Sequence, residues 1–139
     1  MNAYLNQYRN NQVATAKPEQ LLIMLYDGAI RFARQAREAI SMGDRVKKLE
    51  MISKTMAIIT EFSNTLDREV GGEIADNLDA LYDFMIRELT QANLKNDEQR
   101  LEVVEQLLID LRTTWAEAIH IAADESADKG QSLRQGATA

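Results

Sequence analysis

The chain has 139 residues, of which 45% are hydrophobic and 27% charged, with a formal net charge of −6; this is enough sequence for one domain with its own core. No cysteine occurs, so disulfide frameworks, thiolate catalysis and cysteine-ligated metals are excluded. The negative balance argues against nucleic acid as main partner. No stretch approaches the ~20 apolar residues of a membrane-spanning helix, and Met1 to Arg9 carry neither the basic nor the apolar region of a secretory signal. The expectation is a cytosolic, soluble protein.

Residues 1–16 are rich in Asn and Gln, with apolar anchors at Tyr4, Leu5 and Tyr8 spaced to share one face of a helical turn. They read as a flexible arm, and an arm bearing such anchors can act as a lid over an apolar groove. Pro18 followed by Glu19 and Gln20 opens a helix over 18–42, because proline suits the first helical turn and acidic charge favours the N-terminus. Its buried stripe is Leu22, Leu25, Ala29, Phe32, Ala36 and Ala39, spaced by three and four. Gly28 leaves room for a neighbour to approach.

Gly43 and Asp44 supply a stop and a cap, and a second helix is predicted over 44–70 with Leu49, Ile52, Met56, Ile59, Ser63 and Leu66 inward. Gly71-Gly72 should end it. A third helix over 73–93 turns Ile74, Leu78, Leu81, Tyr82, Met85, Leu89 and Ala92 to one side. After a break at 93–97, where Asn96 or Asp97 can cap, a fourth helix over 97–124 carries Leu101, Val104, Leu108, Leu111, Trp115, Ala118 and Ala122. Connectors this short force neighbours antiparallel, so the predicted fold is an all-α, up-down-up-down four-helix bundle over 17–124. Residues 125–139 lose the apolar periodicity and are expected to form a disordered tail.

Chemistry finds little foothold. Glu117 and His120 match one Glu-x-x-His pair of a di-iron bundle, but His120 is the sole histidine, and both residues point away from the Leu111-Trp115-Ala118 stripe. No nucleophile and base pair suggests itself, and no phosphate-cradling glycine pattern follows a strand. The expectation is a protein without enzymatic activity, cofactor or metal. Arg31, Arg34, Arg37, Arg45, Lys47, Lys48 and Lys54 crowd the end of one helix and the start of the next and read as a solvated face.

The surplus lies in apolar residues. Met51, Thr55, Ile58 and Phe62 form a second seam on the second helix, and Val103, Leu107, Thr114 and Ile121 form another on the fourth. A bundle helix needs an inward arc only a little over ~100° wide, so some of these eight residues are expected to remain at the surface, and together they are the expected contacts for a partner polypeptide. The competing expectation is a structural bundle that uses the same seams for self-association.

Four segments then show a resemblance. Gln20-Leu21-Leu22-Ile23-Met24-Leu25-Tyr26-Asp27-Gly28-Ala29-Ile30, Leu66-Asp67-Arg68-Glu69-Val70-Gly71-Gly72, Asn77-Leu78-Asp79-Ala80-Leu81-Tyr82-Asp83-Phe84 and Leu111-Arg112-Thr113-Thr114-Trp115, together with Tyr4 and Tyr8, resemble the FliS family in order and spacing. Lys17 departs from the capping residue usual there. The resemblance implies a cytosolic export chaperone that binds the disordered C-terminal region of flagellin, prevents premature polymerisation and delivers it to the flagellar type III secretion apparatus. It further implies that the arm covers part of the client surface in the free protein. The export gate and other flagellar regulators are further expected partners.

Overall fold

A computed structural model describes residues 16–137, with side chains up to residue 131. The described residues form four helices: α1 (Pro18–Met42), α2 (Arg45–Asn64), α3 (Arg68–Lys95) and α4 (Glu98–Ala137). The described residues divide into two compact units, 24–109 and, in the other, 16–23 with 110–137.

Local chemistry sets the helix ends. Lys17 cannot cap α1 with its side chain, so Gln20 reaches back instead, its Oε1 accepting from the Lys17 backbone N–H at 3.3 Å, half of a capping box. Gly43 takes a left-handed φ of 69°, and backbone bonds from Gly43 to Ile40 (3.1 Å) and from Asp44 to Ala39 (2.9 Å) close α1 in a Schellman motif. Asp44 then caps α2, accepting from the Lys47 N–H at 3.1 Å. Asn96 repeats the left-handed stop after α3 at φ 50°, and Asp97 Oδ1 accepts from the Gln99 N–H at 3.1 Å.

The second break differs from its prediction. Helix α2 ends at Asn64, and α3 starts at Arg68 under an Asp67 cap whose Oδ1 accepts from the Val70 N–H at 3.1 Å. The glycine pair therefore lies inside the first turns of α3, where Gly72 kinks the helix at φ 52°, ψ −124°. Only a residue without Cβ occupies that region freely. Gly72→Ala is expected to cost about 1–3 kcal/mol through that backbone strain, read as a lowered urea midpoint.

Within residues 24–109 the four helical segments alternate in direction. Helices α1 and α2 meet where Lys54 lies over Phe32, 5.5 Å from the ring centroid. Lys48 Nζ donates to Asn93 O (3.0 Å), and Ser63 Oγ donates to Asp79 Oδ1 (2.7 Å), which sets α2 antiparallel to α3. Arg100 reaches Glu88 at 3.1 Å across α3 and α4. Helix α4 returns to α1 through Arg37 with Glu102 (3.2 Å) and Glu105 (3.3 Å), and through Arg34 with Glu105. Glu105 is nearly buried, and its two guanidinium partners offset the loss of water that would otherwise make a buried carboxylate costly.

The core of this unit comprises Tyr26, Ala29, Ala33, Ala36, Ile52, Ile59, Tyr82, Met85, Leu89, Leu101, Val104 and Leu108. Phe62 stacks on Tyr26 with centroids 4.3 Å apart and lies 5.8 Å from Tyr82. The hydroxyls of Tyr26 and Tyr82 approach to 3.2 Å, so either donates to the other. Burial raises the Tyr82 pKa above its ordinary value of 10.0, against a smaller lowering by the Tyr26 hydrogen bond. An unfolded chain would ionise this group more readily than the folded one. The contribution of neutral Tyr82 to stability is thus complete below about pH 10 and is lost as pH rises through the folded pKa; a urea midpoint falling from pH 9 to 11 checks this, and Tyr82→Phe should flatten that fall.

In the other unit the described helical residues are 18–23 of α1 and 110–137 of α4. Leu22, Leu111 and Trp115 are half-buried, whereas Ala118 and Ala122 of the predicted stripe are exposed. Helix α4 continues to Ala137 where loss of apolar periodicity predicted an irregular tail from 125. The stretch lacks proline, and its Ala, Glu, Lys, Gln, Leu and Arg residues favour a helix although Gly130 and Gly136 do not.

Candidate functional site: apolar residues left outside the core

The seam expected at the surface of α2 is largely inside. Met51, Thr55 and Phe62 are buried, which removes them from any surface that could touch a partner directly. Thr55 satisfies its hydroxyl within the helix, donating to Met51 O at 2.8 Å. Ile58 is half-buried, its Cδ1 3.7 Å from where a Cβ on Gly28 would lie. That is ordinary packing distance, so Gly28 is not demanded by a close approach of α2.

The reason lies in α1. Apart from Tyr26 and Ile30, its inward face is Gly28, Ala29, Ala33, Ala36 and Ala39, all buried. Small side chains on one helix leave volume that larger ones on the neighbours must fill, because interiors pack to near-crystalline density. Helix α2 is therefore turned so that Met51, Thr55 and Phe62 face inward beside Ile52 and Ile59. The rotation carries the far edge of the other predicted stripe outward: Leu49 is 54% exposed and Met56 half-buried. Ile74, also expected inside, is exposed in the kinked first turns of α3.

The seam on α4 behaves as expected of a surface within residues 24–109. Val103 is 44% exposed and Leu107 half-buried. Arg100 holds Glu88 of α3, and the antiparallel register runs the turns after Arg100, bearing Val103 and Leu107, beside the turns before Glu88, bearing Phe84 and Leu81. Phe84 and Leu81 are half-buried as well. By this register Leu107, Phe84 and Leu81 form a shallow apolar track along α3 and α4, with the Arg100–Glu88 pair at one end, and Val103 stands at its outer edge, where it shares a hollow with Gln99, Gln106 and Arg37 of α1. Phe84 was missed in the sequence reading because it stands between two residues of the expected α3 stripe.

In the other unit Ile121 is 50% exposed. Thr114 is exposed, its hydroxyl donating to Asp110 O at 2.9 Å. His120 is exposed and lies 3.3 Å from Asp124 on its own helix. Among the described residues no three His, Asp or Glu side chains converge as a metal site, and no described helix is long and apolar enough to cross a membrane. Tyr4, Leu5 and Tyr8 lie outside the described residues.

The basic cluster resolves into separate roles. Arg34 and Arg37 pair with α4. Lys48 binds Asn93 and Asn96, Lys54 pairs with Glu50, and Arg31 lies over Phe32. Arg45 and Lys47 are exposed.

Comparison with known proteins agrees with this architecture. A family profile described as "Flagellar protein FliS" matches residues 1–122. The flagellar secretion chaperone FliS of Salmonella typhimurium is 46% identical over 114 residues, covering 81% of this chain and 84% of that protein. Its namesake in Bacillus subtilis is 42% identical over 112 residues, covering 81% and 83%, and that of Vibrio cholerae 37% identical over 115 residues, covering 83% and 85%. A crystal structure of a bacterial flagellar chaperone superposes with a TM-score of 0.70 over 85% of this chain and 96% of that one, at 20% identity, and so bears on the fold alone. With a matching profile across the bundle and relatives of this similarity over most of their length, the chain belongs to the FliS family of flagellar secretion chaperones.

Proposed function

We propose that the chain is a cytosolic export chaperone that binds the disordered C-terminal region of flagellin, prevents its premature polymerisation and delivers it to the flagellar type III export apparatus. The reading is carried by one observation: apolar side chains remain outside a core that is already filled. Val103, with Leu107, Phe84 and Leu81 beside it, forms a track suited to the apolar face of a client helix. Ile58, Thr114 and Ile121 are further proposed contacts on their own faces, while Met51, Thr55 and Phe62 support the surface from within.

The energetics suit a client that folds as it binds. Ordering a disordered segment costs about 2–5 kcal/mol, and apolar burial at ~25 cal/mol per Å² offsets this only when contacts are spread over a long path. Shallow, distributed anchors serve that purpose better than one deep pocket. The name of the relatives, flagellar secretion chaperone, supports a protein client. Isothermal calorimetry with the C-terminal segment of the cognate flagellin should show a tight, enthalpy-driven complex with negative heat-capacity change. Absence of a complex overturns the reading, and a homodimer that buries Val103 would favour self-association instead.

A further inference from the structure

Helix α4 carries two apolar seams within residues 24–109, and one of them faces the core. Leu101, Val104 and Leu108 are fully buried, whereas Val103 is exposed and Leu107 half-buried. Val103 and Leu107 each immediately precede a buried residue, so the seams stand ~100° apart around the helix. Aliphatic packing chooses weakly between two such settings, because cores accept rearranged hydrophobic residues as long as volume and pattern are kept. Helix α2, where Met51 and Phe62 face inward and Leu49 stays outside, shows that periodicity does not decide the choice.

Glu105 does discriminate. It is the one charged residue that is buried among the described residues, 7% exposed. It lies two positions from both Val103 and Leu107, ~160° around α4 from each at ~100° per residue, and so on the opposite flank. There Arg34 donates to its Oε1, and Arg37 contacts its Oε2 at 3.3 Å. Arg37 also holds Glu102 at 3.2 Å, and Ser41 donates to Glu98 about one turn further along the same flank. The rotation of α4 that would bring Val103 and Leu107 inward draws the Glu105 carboxylate off both guanidiniums and into water. The opposite rotation drives that charge, unpaired, toward Leu101 and Leu108, where it is costly.

We infer that Glu105, gripped by Arg34 and Arg37, is a positioning residue for client binding: it fixes the rotational setting of α4 and so keeps Val103 and Leu107 turned outward, although it is itself too buried to touch a client. A buried ion pair is often no more stabilising than a well-packed apolar replacement, and what it can supply is a unique arrangement. The inference rests on the client reading for what Val103 and Leu107 do, whereas the setting of α4 is a property of the free protein.

The test removes the pair without stranding a charge. Arg34→Met with Glu105→Leu leaves Arg37 on Glu102 and should keep the helical circular dichroism and a urea midpoint at or above that of the unaltered chain. The chain has no cysteine, so Arg87→Cys on α3 and Gln106→Cys on α4, both exposed positions, take a spin-label pair cleanly. Double electron–electron resonance should give one narrow distance in the otherwise unaltered chain and a second distance once Arg34 and Glu105 are replaced. Affinity for the C-terminal flagellin segment should fall about tenfold in the unlabelled Arg34→Met, Glu105→Leu chain, although no residue of the outer track has changed. Glu105→Gln keeps the side-chain length and one acceptor; it should fold normally and show both effects in weaker form, with affinity down about threefold, and it decides the matter if the leucine variant does not fold. A single distance in both variants would overturn the inference, and so would a second distance with unchanged affinity. A lowered urea midpoint with the single distance kept would overturn it too, since the pair would then serve stability alone. Absence of flagellin binding by the unaltered chain would instead overturn the client reading, while the distance measurement still decides whether Glu105 sets α4.

Discussion

Phe62→Ala is expected to destabilise the protein by about 3–5 kcal/mol, the range for removing a buried aromatic ring and leaving a cavity. Phe62 is 4% exposed and its ring fills the space between Tyr26 of α1 and Tyr82 of α3, so three helices lose packing at once. The alanines that line α1 have no side-chain freedom with which to close the gap. A urea titration followed by circular dichroism measures the loss. A change under 1 kcal/mol would show that the ring does not fill that space. Phe62→Asp should be worse, since an unpaired carboxylate would be placed among apolar rings. Neither variant is suited to probing client contacts.

Val103→Asp should have the opposite profile. At 44% exposure the side chain contributes little to the core, and the unfolding midpoint is expected to move by no more than about 0.5 kcal/mol, as for surface substitutions in general. Binding of the C-terminal flagellin segment should weaken about tenfold or more, equivalent to ~1.4 kcal/mol, because a charge would be desolvated against the apolar face of the client. Leu107→Asp would add to the effect but also probes packing, being half-buried, so Val103 gives the cleaner separation. Calorimetry with wild-type affinity would remove the α3–α4 track from the client surface.

The bundle was legible in the sequence because its signals are local. Pro18, Gly43, Asp44, Asn96 and Asp97 mark helix ends where the structure has them, and the spacing of Tyr82, Met85, Leu89 and Ala92, or of Leu101, Val104 and Leu108, identifies the inward faces of α3 and α4. The candidate surface was only partly legible. Two apolar seams on α2 could be seen, but which one turns inward depends on the size of the residues across the bundle, and the alanine face of α1 reversed the expected order for Leu49 against Met51 and Phe62. Asp67 was overlooked as a cap because the glycine pair four and five positions later looked like the stronger stop. The extension of α4 to Ala137 carries no apolar stripe, so periodicity was blind to it.

The touching hydroxyls of Tyr26 and Tyr82 penalise misalignment. Greasy helices slide past one another with little loss as long as some apolar residue fills each hole. Shifting α3 by one turn along α1, ~5.4 Å, would strand the Tyr82 oxygen among hydrocarbon, at a cost of about 1–3 kcal/mol for an unsatisfied buried polar group. The pair thus acts as a latch on the axial setting of α3, and with it on where Phe84 and the rest of the outer track stand when another chain arrives.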